Sequence, residues 1–390
     1  MIRVAITGIG AVTPLANNFQ DSWEALKTGS SGIGPITRFD AGGYKWTSAG
    51  ELRGFDAESY ISKKDRLRLD SFIQYAAAAS IMAVEDSGLS LKMPESSAVI
   101  IGSSRGGIQK MTGPMSAYMM SGSTICMAAA SISRILKLNG HTLGISNACA
   151  SGSNSIGEAF RLIKNGYSNI ALAGASDAPI NPLAVNGYRV SGALSKKGFS
   201  RPLDKDRDGF VISEGACVLV LEEYGRAISR NARIYAEVIA YGNSCDAYHE
   251  TTPHIKGQVR AIKLAMIEGG LNIEDIDFIS AHAAGTIIGD KTEAKAILGV
   301  FGKRLSDIYL SAIKSMTGHM LGASGAFEAA VAARSIYEGI IPPTINISNL
   351  DPDCRLNIVS KPIEKAVRNA VCNSFGFGGV NSALLLRKIV

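Results

Sequence analysis

Cys149 stands in SNACASGSNSIGEAF, Ser146 to Phe160, between the strand-like run HTLGIS and a helix-like stretch. A thiol at such a turn sits at a helix N-terminus, where free N–H groups and the macrodipole favour the thiolate. Its sequence neighbours are small, which leaves room for a substrate. Two of the five histidines occupy matching settings. His282 closes DFISAH, and His319 lies in KSMTGHMLGASGA, again where a strand gives way to a helix. Each residue alone has a plainer reading, a small buried cysteine or a core histidine satisfied by backbone. Together they supply one nucleophile and two groups able to polarise a carbonyl or exchange a proton near neutral pH. His141, His249 and His254 lack such settings and read as structural or surface residues. Lys314 and Glu328 flank His319 as candidate supporting charges, or form a surface salt bridge. In NSFGFGGVN, Gly376, Gly378 and Gly379 let backbone amides point at a ligand. No lysine-serine pair follows and the loop runs into a strand, SALLLRK, so an oxyanion hole suits it better than a phosphate cradle. The plain alternative is a tight turn.

The elements that must position these groups alternate. Strand candidates are VAITGI, SAVIIGS, HTLGIS, NIALAGA, CVLVLEEY, IYAEVIAYG, DFISAH and IYLSA. Helix candidates are DSFIQYAAAASIMAVEDSG, CASGSNSIGEAFRLIKNG, GQVRAIKLAMIEGG, DKTEAKAILGVFG and SGAFEAAVAARSIYEG. The strands are apolar nearly throughout, which predicts sheets covered on both faces in an α/β architecture. CASGSNSIGEAF in the first half is echoed by MLGASGAFEAAVAA in the second. The echo predicts two related halves, 1–230 carrying the cysteine and 231–390 carrying both histidines and the glycine loop. No Pro- or Ser-rich linker separates them, so they are expected to be tightly fused.

Composition narrows the function classes. Of 390 residues, 46% are hydrophobic and 19% charged, and the net charge of +6 is scattered rather than gathered in a stripe. That argues against nucleic-acid binding. The six cysteines form no CxxC pair and no zinc spacing, as expected of free thiols in a reducing compartment. The N-terminal MIRVAITGIGAVTP reads as a first strand rather than a signal peptide, and no apolar run approaches the roughly 18 residues of a membrane span. A cytoplasmic protein, off the membrane, is expected.

VAITGIGAVTP, SNACASG, RPLDKDRDGFVISEGA, KSMTGHMLGASGA and NSFGFGGVNSALL together resemble, in order and over the whole chain, the elongating β-ketoacyl-[acyl-carrier-protein] synthases of the thiolase superfamily. The resemblance implies a five-layered αβαβα fold of two pseudo-repeated halves. It implies a decarboxylative Claisen condensation of a cysteine-bound acyl chain with malonyl-acyl carrier protein, in fatty-acid or specialised type II polyketide or polyene synthesis, without metal or organic cofactor. Cys149 would take the acyl chain. His282 and His319 would promote decarboxylation, and Lys314 and Glu328 would support them. The amides of Cys149 and Phe377 would form the oxyanion hole. Phe377 would gate the acyl pocket, with Phe375, Gly378, Thr286 and Arg105 as further substrate-binding positions. Partners would be acyl- and malonyl-loaded carrier protein, and a second subunit in a homodimer or in a heterodimer with a chain-length-factor-like protein.

Three departures from the family pattern stand out. HAAGT replaces the usual HGTST, so Ala284 takes the place of one pantetheine-binding threonine while Thr286 keeps the other. Arg105 in GSSRGG stands where an aliphatic pocket residue is usual; it either enters the pocket or turns outward. The stretch 107–145 is short for a region that shapes the dimer-side pocket. Lys63, Lys64, Arg66 and Arg68 form either a patch for an acidic carrier protein or a solvated helix face. The sequence also allows two alternatives. A non-catalytic chain-length-factor-like subunit would shape another synthase's pocket, but usually lacks the active cysteine. A coenzyme A thiolase would need a second catalytic cysteine near the C-terminal loop, where Cys372 reads as a packing residue.

Overall fold

The computed structural model describes residues 2–43, 47–89 and 93–389. Ten strands form the main sheet: β1 Val4–Val12, β2 Ala98–Gly102, β3 Thr142–Ile145, β4 Ile170–Asp177, β5 Gly215–Glu223, β6 Ala236–Cys245, β7 Phe278–Ser280, β8 Tyr309–Ser311, β9 Asn369–Gly376 and β10 Val380–Arg387. Their spatial order is β8-β7-β9-β10-β6-β1-β5-β4-β2-β3. Outward from the centre, β1-β5-β4-β2-β3 and β6-β10-β9-β7-β8 are the same order with five added to each number. Directions repeat as well. β2 is parallel to β3 and β4, as β7 is to β8 and β9. The remaining pairs within each half are antiparallel. A short antiparallel contact, Val4↔Val238 to Ile6↔Ala236, joins the two half-sheets.

The period-2 alternation of strand side chains sorts the core into layers. Ala98 and Ile100 face the middle of the molecule, while Val99 and Ile101 face the outer helices of the first half. In the second half Ala370 and Cys372 face the middle and Val371 faces outward. Outer helices α1 Ser71–Asp86 and α2 Cys126–Leu136 cover the first half-sheet, and α4 Ile255–Gly269 and α5 Ile287–Phe301 cover the second. Between the half-sheets lie α3 Ser151–Lys164 and α6 Gly322–Glu338. The result is the five-layered αβαβα arrangement.

Small residues bring α3 and α6 together. A Cβ on Gly152 would lie 2.6 Å from the Gly322 carbonyl, and one on Gly325 would lie 2.6 Å from both Ser153 Oγ and Ser374 Oγ. The chain crosses between halves in the loop from Arg230 to Tyr235.

Every strand and helix candidate forms, with α3 starting at Ser151 rather than at the cysteine. Several helices were not among the candidates. Lys63–Arg68 buries no residue, so it shows no apolar period. In α2 the apolar face is built largely of alanine, which marks it weakly. Among the described residues no helix is long and apolar enough to cross a membrane.

Candidate active site

The turn after β3 places Cys149. Ala148 adopts φ +47°, a left-handed conformation that costs a non-glycine residue on the order of 1–2 kcal/mol. Ser151 holds the turn, its Oγ accepting from the Asn147 N–H at 2.9 Å and donating to the Ala148 carbonyl at 2.6 Å. Gly376, at the end of β9, permits the close approach: a Cβ there would be 2.9 Å from the Asn147 carbonyl and 3.1 Å from the Cys149 nitrogen. The Phe377 amide, next along, points at the Cys149 sulfur.

Beyond β8 a short helix, Lys314–Thr317, leads to His319, again through a residue of positive φ. Gly318 precedes it at φ +68°. His319 Nε2 lies 3.1 Å from Cys149 Sγ, and its Nδ1 lies 3.0 Å from Ser324 Oγ. His282 follows β7, with its ring 5.4 Å from that of His319 and nearly perpendicular to it. Glu293 of α5 fixes that segment by accepting from the His282 and Ala283 amides at 2.9 and 2.6 Å. Lys314 Nζ donates to the His282 carbonyl at 2.5 Å, lies 3.4 Å from His282 Nδ1 and is ion-paired with Glu328. Lys314 and Glu328 are buried, so the alternative of a surface salt bridge is replaced by an internal one.

Burial sets the protonation states. It holds both histidines well below the usual imidazole range, and the neighbouring Lys314 charge adds to the effect. Both imidazoles are therefore neutral at pH 7. Burial pushes Glu328 up to about 7 against the pull of Lys314. Burial also pushes the Cys149 thiol up to about 11, although the charges of Lys314 and Arg105 and the Phe377 amide pull it back. This corrects the expectation of a thiolate at the helix end: in this enclosed site desolvation outweighs the helix terminus, and the resting group is a thiol.

The residues singled out in the sequence sort into three groups. Cys149, His282, His319, Thr286, Phe375 and Phe377 line one cavity, joined by Ala284. Lys314 and Glu328 stand behind the histidines. Arg105 and Gly378 lie outside the lining. Gly378 is exposed on the rim, its N–H donating to the Glu250 carbonyl at 2.6 Å. Arg105 is exposed and acts through a neighbour, donating from Nε to the Tyr188 hydroxyl at 2.7 Å. Cys372 is buried in β9, and burial pushes its thiol far up, which fits packing rather than catalysis.

Sequence reasoning missed Tyr188 and Phe210 as cavity walls. Tyr188 meets Phe210 edge-on at 5.4 Å, and Phe210 meets His319 edge-on at 5.1 Å. Cys149 has small neighbours in sequence but aromatic ones in space. Phe210 sits in the quoted RPLDKDRDGF motif; no local pattern marks Tyr188. The cavity measures about 70 Å³.

The family descriptions "Beta-ketoacyl synthase, N-terminal domain" and "Beta-ketoacyl synthase, C-terminal domain" match residues 1–227 and 235–348. The chain belongs to the β-ketoacyl synthase family. This synthase is 40% identical to the 3-oxoacyl-[acyl-carrier-protein] synthase 2 of Synechocystis sp., over 99% of this chain and 98% of that protein. Among solved structures, the ishigamide ketosynthase/chain length factor is similar at TM-score 0.95 and 37% identity, covering 100% of both chains. A type II PKS ketosynthase, in complex with its acyl-carrier protein and bound to the hexaketide, is similar at TM-score 0.91 and 28% identity, again over 100% of both chains. The synthase is an acyltransferase that carries out the decarboxylative condensation of an acyl chain with malonyl-acyl carrier protein.

Proposed function

We propose that Cys149 is the nucleophile and that His319 and His282 serve both halves of the reaction. The observation that carries this is the 3.1 Å contact between His319 Nε2 and Cys149 Sγ, with the His282 ring beside it. Because the resting group is a thiol, acylation moves a proton. Cys149 Sγ bonds to the acyl carbon as the S–H proton passes by way of His319 Nε2 to the departing pantetheine sulfur, which leaves as a thiol. The Cys149 and Phe377 amides, on either side of the Gly376 contact, hold the oxyanion. Malonyl thioester then enters. The neutral imidazoles donate to its thioester carbonyl as CO₂ leaves, and the electron pair of the broken C–C bond attacks the acyl-Cys149 carbon. The C–S bond breaks, and the Cys149 thiolate takes up one proton from solvent by way of His319 Nε2, the proton that the overall condensation consumes.

Carrier protein and a second subunit complete the reading. The helix Lys63–Arg68 presents the basic cluster. Arg66 is paired with Glu58, while among the described residues Lys63 and Lys64 make no ion pair and remain open to an acidic partner. At the far edge of the sheet, β3 has one open side and leaves Leu143 exposed, an edge suited to pairing with another subunit, of this chain or of a chain-length-factor type. The intact cysteine–histidine contact supports the catalytic role over that of a shaping subunit. All six cysteines are free, in keeping with the cytoplasm.

Intact-protein mass after mixing with a panel of acyl-carrier proteins tests the assignment. Wild type should gain an acyl group and Cys149→Ala should gain none. An adduct on both proteins would move the nucleophile elsewhere.

A further inference from the structure

One deeply buried polar side chain in the cavity wall makes no hydrogen bond among the described residues. Gln258 of α4 lines the cavity and is 1% exposed. Its Oε1 is buried without a partner, and among the described residues neither end of its carboxamide makes a hydrogen bond. Buried amides are almost always paired, because leaving one unpaired forfeits its contacts with water.

Thr286, Asn381 and Asp290 of the same lining are already committed, while Thr251 and Thr252 stand at its exposed and half-buried side. Thr286 Oγ1 accepts from the Gly289 N–H at 3.2 Å, capping α5. Asn381 Nδ2 donates to Asp246 Oδ1 at 2.8 Å and to the Gly379 carbonyl at 2.9 Å. The Asp290 carboxylate accepts from the Leu203 and Gly285 amides at 2.8 and 3.0 Å. Ala284 has no polar side-chain atom. Gln258 is left with a donor and an acceptor side by side, which match the N–H and C=O of another amide.

We propose that Gln258 is a substrate-positioning residue that pairs with an amide of the phosphopantetheine arm as the arm enters beside Ala284. The proposal rests on the functional reading above, since that reading brings the arm to this cavity. It assigns to α4 a contact that the alanine in HAAGT does not make.

The test compares wild type, Gln258→Leu, Gln258→Ala and the double variant Gln258→Leu/Ala284→Thr as full-length proteins. Pantetheine alone is the binding probe, and malonyl-carrier protein is the kinetic one. Loss of a hydrogen bond to a buried partner is expected to raise the pantetheine Kd and the carrier KM about tenfold, with kcat changed by less than about twofold. Gln258→Leu should melt at a higher temperature than wild type, because an unpaired buried amide has been replaced by an apolar side chain of similar size. A merely structural glutamine would lower it. A thioester of ethanethiol, which carries no amide, should acylate Cys149 equally fast in wild type and both single variants, and Ala284→Thr in the double variant should recover part of the lost pantetheine affinity. Unchanged Kd and KM in both single variants would overturn the proposal, as would an equal loss with the amide-free thioester. Should wild type form no acyl adduct with any carrier, the functional reading fails, while pantetheine binding lost in Gln258→Leu would still support the site.

Discussion

The two halves share one strand order and put different chemistry at equivalent places. Beyond β3 a left-handed residue precedes the thiol Cys149; beyond β8 a left-handed residue precedes the imidazole His319. Beyond β2 stands Arg105, its backbone N–H bonded to Asp177 Oδ1 at 3.0 Å; beyond β7 stands His282, its N–H bonded to Glu293 Oε1 at 2.9 Å. The eighth residue of β4 is Asp177, a buried carboxylate that also takes the Gly322 amide at 2.8 Å. The eighth residue of β9 is Gly376, which yields space to the Cys149 turn. A repeated scaffold thus delivers two loops to one point, and under the proposed assignment the halves divide the labour: the first offers the thiol as nucleophile, the second neutral imidazoles as proton handlers, backed by the buried Lys314–Glu328 pair.

The sharpest way to break this division is to disable one half and ask what the other still does. Cys149→Ala should reduce condensation by about 10⁴-fold or more, the scale seen when a nucleophile is removed. Under the proposed assignment, decarboxylation of malonyl-carrier protein rests on His282 and His319 and should persist, yielding acetyl-carrier protein and CO₂. Carbon dioxide release measured beside condensation separates the two. Parallel loss of both would show that the halves do not act independently.

Next in size is Lys314→Met, which strikes the charge behind the histidines. Removing one partner of a buried ion pair costs about 3–5 kcal/mol, read as a lowered denaturation midpoint at pH 8. The loss should shrink at pH 6, where Glu328, already pushed up to about 7, binds a proton and is no longer an unpaired charge. The pH–rate profile carries the second signature. Lys314 helps hold both histidines below their usual range. Without it their values rise, so the acid limb, on which activity falls as they take up protons, should move to higher pH. A profile that stays put would mean that burial alone keeps them neutral.

Arg105 and His282 diverge most in what they touch, one a tyrosine hydroxyl and the other the reaction chamber. Arg105→Ile releases Tyr188, the wall beside Cys149 and Phe210. Acylation by longer chains should improve about 10- to 100-fold relative to short ones, the usual range for a reshaped apolar pocket. Competition between short and long acyl-carrier proteins measures it. An unchanged profile would remove the Arg105–Tyr188 contact from the account of chain selection.

These cases also mark how far the residues alone could be read. Strands buried on both faces announce themselves as apolar runs, and the paired motifs around Cys149 and His319 disclose the duplication. Tyr188 and Gln258 carry no such mark, because their meaning comes from walls assembled by distant segments. The thiol's place at a helix end points to a thiolate, but its protonation is decided by enclosure, which the neighbouring small residues conceal.

The smallest effect concerns the two left-handed residues themselves. At Gly318 a Cβ would lie 2.0 Å from Ser213 Oγ, so glycine there serves space as well as conformation. Ala148 bears the conformation without that relief. Ala148→Gly makes the first half resemble the second. It should recover about 1–2 kcal/mol of steric cost and return about 0.4–1 kcal/mol through the freer unfolded chain. The net is a stabilisation of up to about 1.6 kcal/mol, a rise in melting temperature of up to about 2 °C. The loosened turn should at the same time slow acylation of Cys149 by about two- to threefold, since small errors in nucleophile placement reduce rate. Melting and acylation measured on one preparation give opposite signs if the strain positions the thiol. A variant that melts lower and acylates normally would instead assign the turn's geometry to the two Ser151 hydrogen bonds, and leave the left-handed alanine without a part in catalysis.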